Sequence, residues 1–275
     1  MTSLDQIAAI ADAAEAVDGA APLDEATWLA LRHGRDLRAW VEPDGFALVD
    51  GDQLTLVVAP TARGHGLGGR LLDRVLAETD TRPLLAWSHA DHPAARRLAA
   101  ERGFSPVREL WVLRRPTSLP LDPLELPPGV RIRGFRDTDT EALLRVNALA
   151  FAHHPEQGGM DADNFAARTA EPWWDPAGLL LAVDDEDRLL AFHWTKQHSA
   201  TEGEVYVVGV DPSAQGSGLG RLVTLAGLHH LAGLGVESVH LYVESDNAPA
   251  IRVYRDKLGF THAPEDTHVM YRLGP

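Results

Sequence analysis

Residues 208–220 read Val-Gly-Val-Asp-Pro-Ser-Ala-Gln-Gly-Ser-Gly-Leu-Gly, and this stretch decides the interpretation of the whole chain. The apolar run at 208–210 predicts a strand that ends before Pro212, and the segment after Gly220 has the periodicity of a helix. The glycine-rich turn between them therefore opens a helix. Because the first amides of a helix lack intrahelical partners and point outward, such a turn is suited to binding anionic groups.

The same turn occurs a second time, in the first half of the chain. Residues 63–68 read Arg-Gly-His-Gly-Leu-Gly and follow the apolar, strand-like run at 56–60. The two turns lie 152 residues apart, and two later Gly-Phe pairs, Gly103-Phe104 and Gly259-Phe260, lie 156 residues apart. Between these landmarks both halves predict a helix, a strand, a loop and a helix that ends at a glycine suited to a left-handed cap. A period of this length indicates an internal duplication.

A proline-rich segment near the middle of the chain separates the two copies. Residues 116–129 contain five prolines, which favour an extended linker over a regular helix. We therefore predict one domain at 1–115, a linker at 116–129 and a second domain at 130–275. Early strands are difficult to locate in the first domain.

The second domain predicts the order helix, helix, strand, strand, strand, helix, strand, helix, strand. Its first helix covers residues 142–151, preceded by a possible capping box at 138–141. Such an order predicts the α+β class with a mixed sheet.

Composition limits the function classes. The 275 residues are 45% hydrophobic, enough for one large core or two ordinary ones. The formal net charge of −15 argues against nucleic acid as a partner. The chain has no cysteine, which excludes disulfides and a thiol nucleophile. Residues 1–5 do not start a signal peptide and no apolar run is long enough to span a bilayer, so we expect a cytoplasmic monomer with no membrane partner.

The pattern shared by both halves, Arg/Gln-x-x-Gly-x-Gly, resembles the turn of the GNAT superfamily of acetyl-CoA-dependent N-acyltransferases. Residues 247–254, Asn-Ala-Pro-Ala-Ile-Arg-Val-Tyr, strengthen the resemblance in the second half. It implies two tandem GNAT-like domains, each a mixed, mostly antiparallel sheet flanked by helices. It also implies acetyl-CoA as co-substrate and no metal, with the turn around the pyrophosphate and the preceding strand along the pantetheine arm. The implied cofactor-binding residues are Leu56, Val57, Val58, Arg63, Gly64, His65, Gly66, Leu67, Gly68, Val208, Gly209, Val210, Gln215, Gly216, Ser217, Gly218, Leu219, Gly220, Arg221, Asn247, Ala248, Pro249, Ala250, Ile251 and Arg252.

Acetyl transfer to an amine requires a base for the ammonium, stabilisation of the oxyanion and an acid for the departing thiolate. Glu204 begins the strand that leads to the second turn, so we expect it to act as the base, directly or through water. The resemblance places the acid at Tyr254, seven residues after Asn247. The offset of 152 residues between the repeats matches Glu204 to Asp52 in the first half, and the offset of 156 residues matches Tyr254 to Leu98. We therefore expect the first domain to retain at most CoA binding and to lack transferase activity.

Four segments, at residues 16–22, 150–159, 192–196 and 203–207, resemble the mycothiol synthase family in detail. That family acetylates the cysteinyl amine of Cys-GlcN-Ins, a pseudo-disaccharide, to form mycothiol. Carboxylates attract an ammonium and accept sugar hydroxyl groups, whereas a lysine donates to sugar oxygens. The resemblance places acceptor-binding positions at Glu25, Glu156, Lys196, Glu204 and Tyr242.

Two alternatives remain open at the level of sequence. A GNAT enzyme for another amine, such as a protein N-terminus or an aminoglycoside, would share the glycine turns without the four segments. A non-catalytic CoA-sensing module would not require Glu204 and Tyr254 together.

Overall fold

The computed structural model describes residues 3–33, 37–152 and 157–274, which form two compact units. The N-terminal unit comprises Met1–Trp111, Glu244–Asp246 and Ala263–Pro275, and the C-terminal unit comprises Val112–Val243 and Asn247–His262. Each unit is therefore built from more than one segment of the chain. The predicted boundaries at 115 and 130 stay a prediction. Within the described residues, no helix combines the length and the apolarity that crossing a bilayer requires.

In its described residues, the N-terminal unit has four α-helices around a mixed sheet. The helices are α1 (Ser3–Asp18), α2 (Glu25–His33), α3 (Leu67–Glu78) and α4 (Pro93–Glu101). The strands are β1 (Arg38–Glu42), β2 (Gly45–Asp50), β3 (Gln53–Val58) and β4 (Leu84–Ser88), with residues of β5 (Ser105–Pro116) and β11 (Thr261–Leu273). Strands β1, β2 and β3 are antiparallel, β3 and β4 are parallel, and β4 is antiparallel to the end of β11.

The C-terminal unit repeats this plan, but four antiparallel strands lead to its parallel neighbour where the N-terminal unit has three. Its helices are α5 (Thr140–Ala150), α6 (Ala162–Thr169), α7 (Leu219–Gly233) and α8 (Ala248–Arg252). Its strands are β6 (Arg131–Gly134), β7 (Leu179–Val183), β8 (Leu189–Gln197), β9 (Glu202–Val210) and β10 (Ser238–Glu244). Strands β6 to β9 are antiparallel, and β9 and β10 are parallel. Parallel neighbours require a crossover connection, which α3 supplies in one unit and α7 in the other.

Helices cover both faces of the C-terminal sheet. Phe192 and Trp194 of β8 pack with Leu143 of α5 and Phe165 of α6 on one face. On the other face, Ala191 of β8 packs with Val223 of α7. Neighbouring residues of β8 thus enter opposite cores, as the alternation of a strand requires. The face toward α5 and α6 also carries the polar side chains of the candidate site.

The local predictions were accurate where end signals are strong. Helix α4 is present and is followed by a glycine as predicted, and both helix-ending glycines are left-handed, with φ of 77° at Gly103 and 74° at Gly259. The predicted capping box at 138–141 was wrong. Helix α5 begins at Thr140, and the Asp139 carboxylate accepts the amide of Arg136 instead, at 2.8 Å. Asp139 also binds Arg133, and the guanidinium keeps the pKa of this carboxyl below its usual value.

Candidate functional site

The glycine turn of the C-terminal unit is a fixed backbone structure. Gly216 and Gly218 have φ values of 78° and 84°, which residues with a Cβ rarely adopt. Gly218 is the N-cap of α7, and the first helical hydrogen bond runs from the Leu222 amide to its carbonyl at 3.2 Å. Before the turn, the Asp211 carboxylate accepts the Ser213 amide at 2.9 Å. The amides that precede Leu222 therefore present an anion-binding surface of the kind a pyrophosphate requires.

Strands β9 and β10 separate after Glu204, the third residue of β9. Their parallel pairing joins Glu202–Glu204 to Ser238–His240, and within these fully described strands it does not continue along 205–210. The main-chain groups on that side of β9 are therefore available to an extended ligand. Strands β3 and β4 behave in the same way, since their pairing joins Gln53 to Leu85 and Leu54 to Ala86. In both units the opening leads to the glycine turn, and this arrangement fits an elongated cofactor with a phosphate group.

Glu204 lies at the point where this opening begins. It is 6% exposed, and the sheet register places it opposite Lys196 of β8 and His240 of β10. A buried carboxylate requires hydrogen-bonding or charged partners, because leaving it unpaired costs several kcal/mol, on the order of 3–5. Here one oxygen, Oε2, lies 2.6 Å from Nε2 of His198, which follows β8.

A second pair of charged groups lies beside the first. Nδ1 of His240 is 3.0 Å from the Glu202 carboxylate, and its Nε2 is 3.9 Å from Glu204 Oε2. Arg114 approaches the same Glu202 oxygen at 3.2 Å. Contact with His240 lowers the pKa of Glu202 to about 2, with Arg114 contributing, so Glu202 is ionised at neutral pH. The site thus alternates carboxylates with imidazoles.

Aromatic rings surround the ammonium group of Lys196. Its Nζ lies 4.4 Å from the ring centre of Trp173 and 5.1 Å from that of Tyr206. The hydroxyl of Tyr206 accepts a hydrogen bond from Arg168 of α6 at 2.9 Å. Cation–π contact holds an ammonium while its N–H groups still point toward other acceptors. Lys196 is therefore held next to Glu204 as a positioned donor.

Tyr254 lies after α8, where the chain forms a wider π-type turn over Val253–Lys257. The predicted helix before Gly259 is thus an α-helix that ends at Arg252 and continues in this turn. Asn247 caps α8 by accepting the Ala250 amide at 3.2 Å. The Tyr254 ring packs on Phe260 with ring centres 6.0 Å apart, and burial raises the pKa of Tyr254 to about 12. The phenol therefore carries its proton at neutral pH.

The N-terminal unit contains a cavity of about 670 Å³ at the matching place. Its walls include Leu56–Val58, the turn at 64–69 and Leu98. Gly64 and Gly66 have φ values of 80° and 79°, so this turn has the backbone of the other one. Asp52 is exposed in the turn before β3, and Leu98 supplies a methyl surface. The cavity thus keeps the anion-binding backbone, while apolar and exposed groups occupy the positions that correspond to Glu204 and Tyr254.

Comparison with known proteins agrees with this geometry. The sequence model of the Acetyltransferase (GNAT) family matches residues 147–260. The chain is 60% identical to the mycothiol acetyltransferase of Nocardioides sp. strain JS614, over 97% of this chain and 96% of that protein. It is 47% identical to the mycothiol acetyltransferase of Thermobispora bispora, over 97% and 94% of the two chains.

The chain belongs to the mycothiol acetyltransferase family. It is an N-acetyltransferase, and GNAT acetyltransferases use acetyl-CoA. Solved structures show the same fold over the whole chain. A tandem GNAT protein of the clavulanic acid pathway matches with a TM-score of 0.73 at 20% identity, covering 100% of this chain and 95% of its own. The predicted class, α+β with two tandem GNAT-like domains, is confirmed.

For this member of the mycothiol acetyltransferase family, the structure brings several predicted acceptor positions together. Lys196 and Glu204 are direct neighbours, and Tyr242 is 46% exposed with its ring edge-on to His240 at 5.6 Å. Glu156 lies outside the described residues. Glu25 begins α2, and its side chain is also outside the description.

His198, His240 and Glu202 were missed by the sequence analysis. His198 and Glu202 flank a short hairpin, and His240 is brought in by the parallel pairing of β10. A signal was available in the alternation across that hairpin. Residues 194, 196 and 198 before it, and 202, 204 and 206 after it, share one face of the sheet. Considering all residues of that face together would have added His198 to the candidate site.

Proposed function

We propose that the C-terminal unit transfers the acetyl group of acetyl-CoA to the cysteinyl amine of Cys-GlcN-Ins, forming mycothiol. The observation that carries this proposal is the buried carboxylate of Glu204 on the strand that leads to the glycine turn. The unit that holds this arrangement also matches the GNAT family model. The acceptor is inferred from the name of the relatives and from the four sequence segments.

Glu204 acts as the general base in this proposal. The acceptor amine arrives as an ammonium, and it attacks the thioester only after it has lost a proton. A carboxylate that is shielded from water and opposite Lys196 attracts the ammonium and accepts that proton. The amine then attacks the acetyl carbonyl directly, and no covalent bond to the protein is formed.

Tyr254 acts as the general acid toward the departing thiolate. Its raised pKa of about 12 keeps the phenol protonated at neutral pH, which is the form that an acid requires. The main chain of residues 208–210, the turn at 215–221 and residues 247–252 would hold acetyl-CoA. Lys196, Glu156 and Tyr242 would bind the hydroxyl-rich part of the acceptor, and Glu25 stays a predicted acceptor position.

We further propose that the N-terminal unit binds CoA without catalysing transfer. Its cavity retains the strand and turn of a CoA site, at residues 56–58 and 63–68. It lacks equivalents of Glu204 and Tyr254, since Asp52 is exposed and Leu98 has no acidic proton. The proposal also includes a cytoplasmic location and a monomeric state. Light scattering of the purified chain tests the monomeric state.

The acceptor assignment is tested with purified full-length protein and acetyl-CoA. Because Cys-GlcN-Ins itself carries a thiol, product is quantified by mass spectrometry of the N-acetylated acceptor. Three acceptors are compared: Cys-GlcN-Ins, the cysteine-free sugar amine, and a peptide with an N-terminal cysteine. We expect a kcat/KM for Cys-GlcN-Ins at least about 100-fold above the others, because a buried polar site rejects ligands that leave its groups unpaired. An equal or higher rate on the peptide would reject this acceptor.

A further inference from the structure

The net reaction raises a question about protons that Glu204 and Tyr254 do not answer. One ammonium and one acetyl thioester give one amide, one thiol and one free proton. Two protons leave the nitrogen, of which one ends on the sulfur and the other must reach solvent. Glu204 is 6% exposed, so it needs a partner that connects it to water before the next turnover.

We propose that His198 takes the proton from Glu204 and delivers it to solvent. Its Nε2 lies 2.6 Å from Glu204 Oε2, a hydrogen-bonding distance, whereas its side chain is 35% exposed. The imidazole therefore contacts the buried base on one side and water on the other. This inference rests on the proposed role of Glu204. It makes His198 a positioning residue that acts on the reaction through Glu204.

Each transfer in the relay is balanced. The carboxylate of Glu204 takes a proton from the ammonium and becomes a carboxylic acid. That acid passes its proton from Oε2 to Nε2 of His198 in the tautomer that carries its hydrogen on Nδ1, which restores the carboxylate and forms an imidazolium. The imidazolium gives its Nδ1 proton to water or buffer, and exchange of the remaining ring proton with water returns His198 to the starting tautomer.

The surrounding charges favour His198 over His240 for this role. His240 has an 8% exposed side chain, its Nδ1 is engaged by ionised Glu202, and its Nε2 is 3.9 Å from Glu204. It therefore has no hydrogen bond to the base, and its own side chain is less exposed to water than that of His198. The other titratable groups that face the site are Lys196 and Tyr242, with Arg114 beside Glu202. The ionised carboxylate of Glu202, held beside His240, places a negative charge next to the base.

The hairpin holds His198 in place independently of its ring. The His198 amide donates to the Glu202 carbonyl at 2.9 Å, and the Ser199 hydroxyl accepts the Glu202 amide at 3.1 Å. Removing the imidazole therefore leaves the backbone around Glu204 unchanged. This makes side-chain substitution at position 198 an informative test.

The test compares His198→Ala and His198→Gln with His240→Gln and with the exposed control His229→Ala in full-length protein. Steady-state acetyl transfer is measured against pH, using whichever amine the unmodified protein acetylates. We expect a roughly 10- to 100-fold loss at neutral pH for both His198 variants, the low end of general acid–base effects, with the KM for acetyl-CoA unchanged. Added imidazole should restore part of the rate in His198→Ala.

The conservative variant separates a relay from a structural contact, because glutamine keeps a hydrogen-bond donor near Glu204 but cannot carry a proton. A His198→Gln rate within twofold of the unmodified protein overturns the relay, as does a complete lack of imidazole rescue in folded His198→Ala. A loss in His240→Gln equal to that in His198→Gln also contradicts it. Failure of the unmodified protein to acetylate Cys-GlcN-Ins would count against the acceptor and leave this comparison intact with another amine.

Discussion

The two glycine turns have nearly the same backbone and different surroundings. Their paired glycines have φ values of 80° and 79° in the N-terminal unit and of 78° and 84° in the C-terminal unit. Each turn follows a strand that separates from its parallel neighbour, and each opens a helix. Backbone geometry of this kind binds anions whatever the neighbouring side chains are. The ability to bind the cofactor is thus encoded separately from the ability to use it.

The side chains that differ lie outside the turns. Glu204 is inside β9 and hydrogen-bonded to His198, whereas Asp52 precedes β3 and is exposed. Tyr254 is a protonated phenol, whereas Leu98 packs against the apolar core. Under the proposal made above, a duplicated domain loses catalysis through two positions while its turn keeps the same form. Substitutions at matched positions of the two units test how complete this division is.

The largest effect is expected for Glu204→Gln, which removes the base and keeps the size of the side chain. Single-turnover acetyl transfer should fall by about 10²- to 10⁴-fold, the usual range for a positioned general base. Acetyl-CoA binding, measured by calorimetry, should change little. The matched variant Asp52→Asn should retain full activity. A similar loss in both variants would mean that the N-terminal unit shares the chemistry.

Tyr254→Phe should have the next largest effect, because it removes the proton that the thiolate receives. We expect turnover to fall about 10- to 100-fold with the KM for acetyl-CoA nearly constant. Tyr271→Phe is the control, since burial also raises the pKa of Tyr271 to about 12 and its hydroxyl binds Asp91 in the N-terminal unit. If Tyr254→Phe reacts at the wild-type rate, the departing thiolate receives its proton from water and not from Tyr254.

Gly218→Val and Gly66→Val test the turns themselves. A β-branched residue at these left-handed positions costs on the order of 1–3 kcal/mol and distorts the amides that bind phosphate. Gly218→Val should raise the KM for acetyl-CoA about tenfold, since ~1.4 kcal/mol corresponds to a factor of ten. Gly66→Val should leave the KM unchanged and lower the CoA stoichiometry from two to one. If the unmodified chain binds a single CoA, the proposal that the N-terminal unit binds CoA is wrong.

Much of the fold was predictable because its signals are local. Proline and glycine mark the bounds of α4, and the glycine turns mark the starts of α3 and α7. The early strands β1 and β2 were hard to locate. In β2, Phe46 to Val49 are all buried, and a short continuous apolar run does not distinguish a strand from a buried helix.

The candidate site was predictable to the extent that it resembles a known motif. Glu204 and Tyr254 were placed by their distances from the glycine turn and from Asn247. His198 and His240 are positioned by strand pairing, and their separations of six and 36 residues from Glu204 have no sequence motif. Tertiary packing decides the strand register. A side-chain network that depends on the register can therefore be seen only once the sheet structure is known.

The smallest expected effect concerns how each turn is anchored. In the N-terminal unit, Arg63 makes two hydrogen bonds to the Asp18 carboxylate at 2.6 and 2.7 Å and one to the Val58 carbonyl at 3.1 Å. In the C-terminal unit, Gln215 stands at the position of Arg63, and Asp211 binds Ser213 and Arg145 instead. Asp18→Asn should therefore loosen the first turn by about 1–2 kcal/mol, the scale of a charge-assisted hydrogen bond, and leave the second unchanged.

The pH dependence of this anchor follows from the sign of its pKa shift. The hydrogen bond from Arg63 holds the pKa of Asp18 below its ordinary value of 3.8. A carboxyl with a lowered folded pKa stabilises the fold above the unfolded value and loses that contribution as pH falls through the folded value. The pair therefore contributes fully at pH 7 and weakens below about pH 4. Hydrogen exchange of residues 60–70 should accelerate in Asp18→Asn at pH 7 and converge with the unmodified protein in acid, whereas residues 212–222 should exchange alike in both proteins. Acceleration in both segments would mean that the two anchors are not independent.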